Sequence, residues 1–152
     1  MKKKIMLFVG LMIALLGIEW LSIADDFEKC LMCGMDASKS ETKFTAKVEG
    51  NSKVQSGEYA FCCLRCLLTF EKRIETGRVY DIKARDYDTG KMFDATQGFF
   101  LIESEKLPQG SMVPFMLIFS DQEIAGKYQK VYGGKIVNWY KIREYTLNIK
   151  KK

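Results

Sequence analysis

The chain has 152 residues, 47% of them hydrophobic, with two prolines and a formal charge of +5 from 24 basic and 19 acidic side chains. That is enough apolar material for one domain or two small ones sharing a core, and too little proline for a long disordered linker. Histidine is absent, which excludes Ser-His-Asp and Cys-His catalysis and most catalytic zinc sites, since all of them need an imidazole. A metal here must be held by thiolates, thioethers, carboxylates or backbone oxygens.

The first 24 residues read as an export signal. Lys2-Lys3-Lys4 is a positive n-region, Ile5 to Ile18 is an apolar core of signal-peptide length, and Ser22-Ile23-Ala24 offers small residues for cleavage. The apolar run is short for a membrane span, so an uncleaved N-terminal anchor is the alternative. An exported chain is periplasmic or otherwise extracytoplasmic. Without residues 1–24 the balance is 21 basic to 18 acidic residues, an ordinary surface. The basic residues are scattered, with no basic–aromatic face to recommend nucleic acid as a partner. Lys150-Lys151-Lys152 reads as a solvated tail.

Next comes Cys30-Leu31-Met32-Cys33-Gly34, a C-x-x-C followed by a glycine that a tight knuckle turn would use at positive φ. Lys43 to Val48 and Val54 to Phe61 read as two strands, with Glu49-Gly50-Asn51-Ser52 as the turn between them. Leu64 to Ile74 has helical periodicity, and Gly77 stops it. Cys62, Cys63 and Cys66 therefore fall at the start of a helix, whose partial positive charge and spare N–H groups favour thiolate over thiol. A strand near Val79 to Arg85 completes this unit.

A second, similar series follows. Met92 to Ile102 reads as a strand, Pro108-Gln109-Gly110 as a turn, and Val113 to Phe119 as an apolar strand. Asp121 to Tyr132 reads as a helix capped by Ser120 or Asp121, Gly133-Gly134 ends it, and Lys135 to Tyr145 makes a last strand. The fold class is α+β: two similar ββαβ units, 25–90 and 91–152, the first carrying a treble-clef-like cysteine site.

Five cysteines in two tight clusters, C-x2-C-x28-C-C-x2-C, describe a site rather than a disulfide scaffold. Three chemistries fit. A structural zinc site would use four thiolates. A thiol–disulfide redox pair would use the C-x-x-C spacing. A Cu(I) site would use soft thiolate and thioether ligands. The fifth thiol, Cys62, is superfluous to a closed zinc cage. Among the methionines, Met35 beside the knuckle and Met112 in its Gly-Ser-Met-Val loop are the candidate thioether ligands.

The ordered set of Cys30-x-x-Cys33-Gly34-Met35, Phe61, Cys66-Leu67-Leu68, Asp86-Tyr87-Asp88-Thr89-Gly90, Phe93-Asp94-Ala95 and Gly133-Gly134-Lys135-Ile136-Val137-x-Trp139 resembles the NosL family of copper-binding accessory proteins, which are associated with nitrous oxide reductase. The resemblance spans roughly residues 30–140 and implies two ββαβ units, an extracytoplasmic location and carriage of Cu(I). Family members are commonly lipoproteins, and the lipidation context is missing here. The family's Pro-Met-Gly stretch, whose methionine is a copper ligand, reads Pro108-Gln109-Gly110, leaving Met112 as the substitute. Cys62 and Cys63 stand where the family usually has no thiol. The expected function is a Cu(I) metallochaperone, not an enzyme, serving a client copper protein or a membrane copper transporter. Thiolates of Cys30, Cys33, Cys63 and Cys66 would hold one soft ion or share two, with Cys62 and Met112 as exchange ligands. Zn2+ in a structural site is the alternative.

Overall fold

A computed structural model describes residues 28–149. The expected leader at 1–24 lies outside them. Among the described residues, no helix is long and apolar enough to cross a membrane.

Glu28 to Ala37 folds back on itself. Lys29 bridges Asp36, Cys30 N–H donates to Met35 carbonyl at 2.7 Å, and Gly34 N–H donates to Cys30 carbonyl at 2.8 Å. The reversal needs the left-handed backbone that Gly34 supplies at φ 74°. The β1 strand (Phe44–Glu49) then pairs antiparallel with β2 (Gly57–Phe61), Phe44 opposite Phe61. The connection is longer than the four-residue turn expected, because residues 54–56 stay out of the ladder. The α1 helix (Leu64–Arg73) presents Leu64, Leu67, Leu68 and Phe70 to the interior. It ends before Gly77, where a Cβ would stand 2.4 Å from the Ile74 side chain and 2.7 Å from the Glu49 carbonyl. The β3 strand (Arg78–Arg85) returns on the far side of β1.

The strand expected over Met92 to Ile102 is two strands in two sheets. Met92–Asp94 (β4) pairs with β3, whereas Phe99–Ile102 (β5) starts the second sheet. Asp94 breaks the run by accepting from Thr96 N–H, which caps a 3-10 turn at Ala95–Gln97. From β5 the chain continues to β6 (Met116–Phe119), α2 (Gln122–Tyr132) and β7 (Lys135–Val137). Asp121 is the cap of α2, accepting from Glu123 and Ile124 N–H.

The final strand expected over Lys135 to Tyr145 is corrected after Val137. Asn138 accepts from Lys141 N–H and starts a helix, α3 (Trp139–Asn148), whose buried residues Trp139, Ile142 and Thr146 recur at helical spacing.

The two sheets are ordered β2-β1-β3-β4 and β6-β5-β7, and neighbouring strands within them are antiparallel. In both, the first strand of the unit is flanked by the second and third, with a helix between them in sequence. The fold is therefore α+β with two ββαβ units, followed by an added helix. Alternation along β5 and β6 places the second sheet between two cores. Phe100, Ile102, Met116 and Ile118 face the main core with Phe44, Phe61, α1 and α3. Leu101, Leu117 and Phe119 face Ala125 of α2.

Asp86 joins the units. Its Oδ1 accepts from the N–H groups of Asp88 and Thr89 and from Thr89 Oγ1, while Oδ2 accepts from Ser120 N–H and Oγ at 2.6 Å each. Tyr87 N–H donates to Ile118 carbonyl beside it. One carboxylate thus fixes the end of β3 against the end of β6.

Candidate metal centre

The knuckle, the β2 strand and the α1 helix converge on one point. Cys30 bridges Ala60 in parallel, and Leu31 N–H donates to Ala60 carbonyl at 2.9 Å, so the knuckle is laced to β2 one residue before Phe61-Cys62-Cys63. Cys63 is the N-cap residue of α1, and Cys66 lies in its first turn. This is the knuckle–hairpin–helix arrangement that the cysteine spacing implied.

The Sγ atoms of Cys30, Cys33, Cys62 and Cys66 all lie within 4.8 Å of one another. Cys33 and Cys62 are 3.5 Å apart, and Cys62 and Cys66 are 3.6 Å apart. With metal–sulfur bonds of about 2.3 Å, sulfurs that share an ion stand about 3.8–4.0 Å apart, so modest adjustment lets this quartet hold one. The favoured four from spacing were Cys30, Cys33, Cys63 and Cys66. Geometry instead puts Cys62 in the quartet, with Cys63 beside it, 3.9 Å from Cys62. Cys62 is the one that meets the knuckle, its sulfur 3.5 Å from that of Cys33, while Cys63, with extended backbone at φ −159° and ψ 167°, is the N-cap of α1.

Burial divides the thiols. Cys30, Cys62, Cys63 and Cys66 are buried, whereas Cys33 is exposed. Exposed Leu31 and Met35 flank Cys33 along the knuckle. Hydrogen bonding also differentiates them. Contacts from Cys62, then Cys66, drive the Cys30 thiol far below its usual range. The same two neighbours, Cys62 first, lower Cys63 to about 3. Cys62 is pushed up by Cys30 and then Cys63, and Cys66 by Cys30, Cys62 and Cys63 in that order. The thiols in contact therefore titrate as one cluster and share their protons. A soft cation entering the cluster would replace those protons.

Sequence inspection missed the residues that hold Cys62 in place. Ser40 Oγ donates to the Cys62 carbonyl at 2.6 Å and Thr42 Oγ1 donates to it at 3.1 Å, both hydroxyls fully buried. A Ser-x-Thr pair has no metal signature, and only the fold brings it to Cys62. Met112 lies in the loop beside the centre. Its half-buried side chain packs against the core cluster that contains the cysteines. Arg65 Nη1 donates to Val113 carbonyl at 2.9 Å, tying α1 to the same loop.

The chain was compared with known proteins. Among solved structures, the crystal structure of the copper chaperone NosL from Shewanella denitrificans aligns with a TM-score of 0.61 at 18% identity, covering 80% of this chain and 93% of that one. At that identity the likeness speaks for the fold. No curated protein matches the chain. The family model described as NosL matches residues 22–147, from ahead of the knuckle to the last turn of α3, and on that match the chain belongs to the NosL family.

Proposed function

We propose that this protein is an extracytoplasmic Cu(I) metallochaperone, exported by residues 1–24, that carries copper on its cysteine cluster and hands it to a client copper protein or membrane transporter. The observation that carries the proposal is the cluster itself: four thiol sulfurs within 4.8 Å of one another, three buried and one, on Cys33, open to solvent. Family membership supports copper as the cargo. An all-thiol donor set without a single imidazole suits a soft monovalent ion. The exposed thiol supplies the exchange step, in which a donor ligand of the client joins the ion as Cys33 leaves it. The exposed apolar side chains of Leu31 and Met35 give the client a surface to seat against. Met112, packed against the core cluster that contains the cysteines, serves as a thioether exchange ligand if its side chain turns toward them.

The second reading, a structural zinc module, is favoured by the same four-sulfur count, which satisfies tetrahedral zinc. Metal content and thiol count on protein purified anaerobically separate the two. Copper that a Cu(I) chelator removes without loss of far-UV circular dichroism supports delivery. One tightly held zinc whose removal unfolds the first unit refutes it. In the same assay, Cys33→Ser is expected to retain the fold while slowing transfer to an acceptor chelator.

A further inference from the structure

Five thiols are more than one ion can use. A four-coordinate ion in the quartet of Cys30, Cys33, Cys62 and Cys66 leaves Cys63 over, yet the Cys63 sulfur lies against the quartet at Cys62. Its Sγ is 3.9 Å from Cys62 Sγ, and as the N-cap of α1 it stands one helical turn from Cys66. Cys66 Sγ in turn lies within 4.8 Å of the Cys30, Cys33 and Cys62 sulfurs. Cys62 and Cys66, 3.6 Å apart, therefore form an edge shared by two sets of sulfurs. On one side stand Cys30 and Cys33, and on the other stands Cys63.

The geometry points to a two-ion copper site: one Cu(I) held by Cys30, Cys33 and the shared pair, and a second held by Cys63 and the shared pair, with Cys62 and Cys66 bridging. This rests on the Cu(I) reading above and extends it from one ion to two. Thiolate sulfur has lone pairs enough to bridge, and Cu(I) accepts coordination numbers below four, so three sulfurs complete the second site. A second cation also removes one unit of the negative charge that the thiolates keep after the first ion has bound. The two ions differ in access. The first touches the exposed Cys33, whereas every ligand of the second is buried. The ion on the Cys33 side is the exchangeable one, and the ion on the Cys63 side stays.

The test is native mass spectrometry of the reduced full-length protein, titrated anaerobically with Cu(I) against a competing Cu(I) chelator. X-ray absorption of the loaded wild type reads the distance between coppers without relying on any variant. Two coppers per wild-type chain with a short copper–copper path, falling to one copper without that path in Cys63→Ser of unchanged circular dichroism, is the expected result. Saturation of the wild type at one copper overturns the two-ion site and leaves the carrier reading standing. Retention of two coppers by Cys63→Ser overturns the role of Cys63. A wild type that takes no copper in competition and holds zinc overturns both readings.

Discussion

Asp86 offers the sharpest test of how the two units are joined. It is 3% exposed and accepts five hydrogen bonds, three on Oδ1 and two on Oδ2. Asp86→Asn keeps the shape but turns one acceptor into a donor. The cheapest orientation keeps the oxygen toward Asp88 and Thr89 and directs the amide at Ser120. The Ser120 hydroxyl can rotate to accept from it, but the Ser120 N–H cannot and loses its partner. An orphaned donor costs about 1–3 kcal/mol, and the retained bonds lose their charge assistance, roughly half their strength. Removing a buried charge returns part of this, so the net loss is about 2–3 kcal/mol. The sign with pH follows from the folded carboxyl. Burial pushes it up, but Ser120 and Thr89 donors outweigh burial and hold it below the usual carboxylate value. Its contribution is therefore complete above the unfolded value of about 3.9 and is lost as pH falls through the lower folded value. Urea unfolding of reduced wild type and variant at pH 7 and again at pH 3 measures this, and any metal contribution cancels in the difference. A gap under about 0.5 kcal/mol at pH 7, or one that does not shrink on acidification, refutes the reasoning.

Removing both hydroxyls behind Cys62, as Ser40→Ala with Thr42→Ala, leaves that carbonyl without two buried donors. A loss of about 1–3 kcal/mol is expected, read as a lower urea midpoint together with weaker Cu(I) binding in chelator competition. Gly34→Ala meets no atom within 4 Å but must adopt φ 74°, at a cost of about 1–2 kcal/mol. It should weaken metal binding while circular dichroism stays unchanged. Asn138→Ala removes the cap of α3 and should lower stability by about 0.5–2 kcal/mol in urea unfolding, with copper stoichiometry unaffected.

Features carried by adjacent residues were legible in the sequence. The knuckle follows from Cys30-x-x-Cys33-Gly34, because two intervening residues and a left-handed glycine close the turn locally. The α1 helix follows from its apolar spacing, and the doubled ββαβ pattern from two runs of strand and helix signals. Where local signals competed, the reading went astray. Met92 to Ile102 is apolar enough for one strand, but the side-chain cap at Asp94 divides it between two sheets. Lys135 to Tyr145 looked like a strand because its first residues are one, and the single Asn138 cap that turns it into α3 was overlooked.

The sequence by itself determined that the five thiols form a site, since their two tight clusters are not the spacing of a disulfide scaffold. Which thiols converge was decided only in three dimensions. Cys62 and Cys63 are neighbours of identical chemistry, and nothing along the chain tells them apart. The lacing of the knuckle to Ala60, and the two hydroxyls on the Cys62 carbonyl from 20 and 22 residues away, then select Cys62 for the quartet. Such long-range contacts carry no signature along the chain, because their energy arises only once the strands that bring them together have paired.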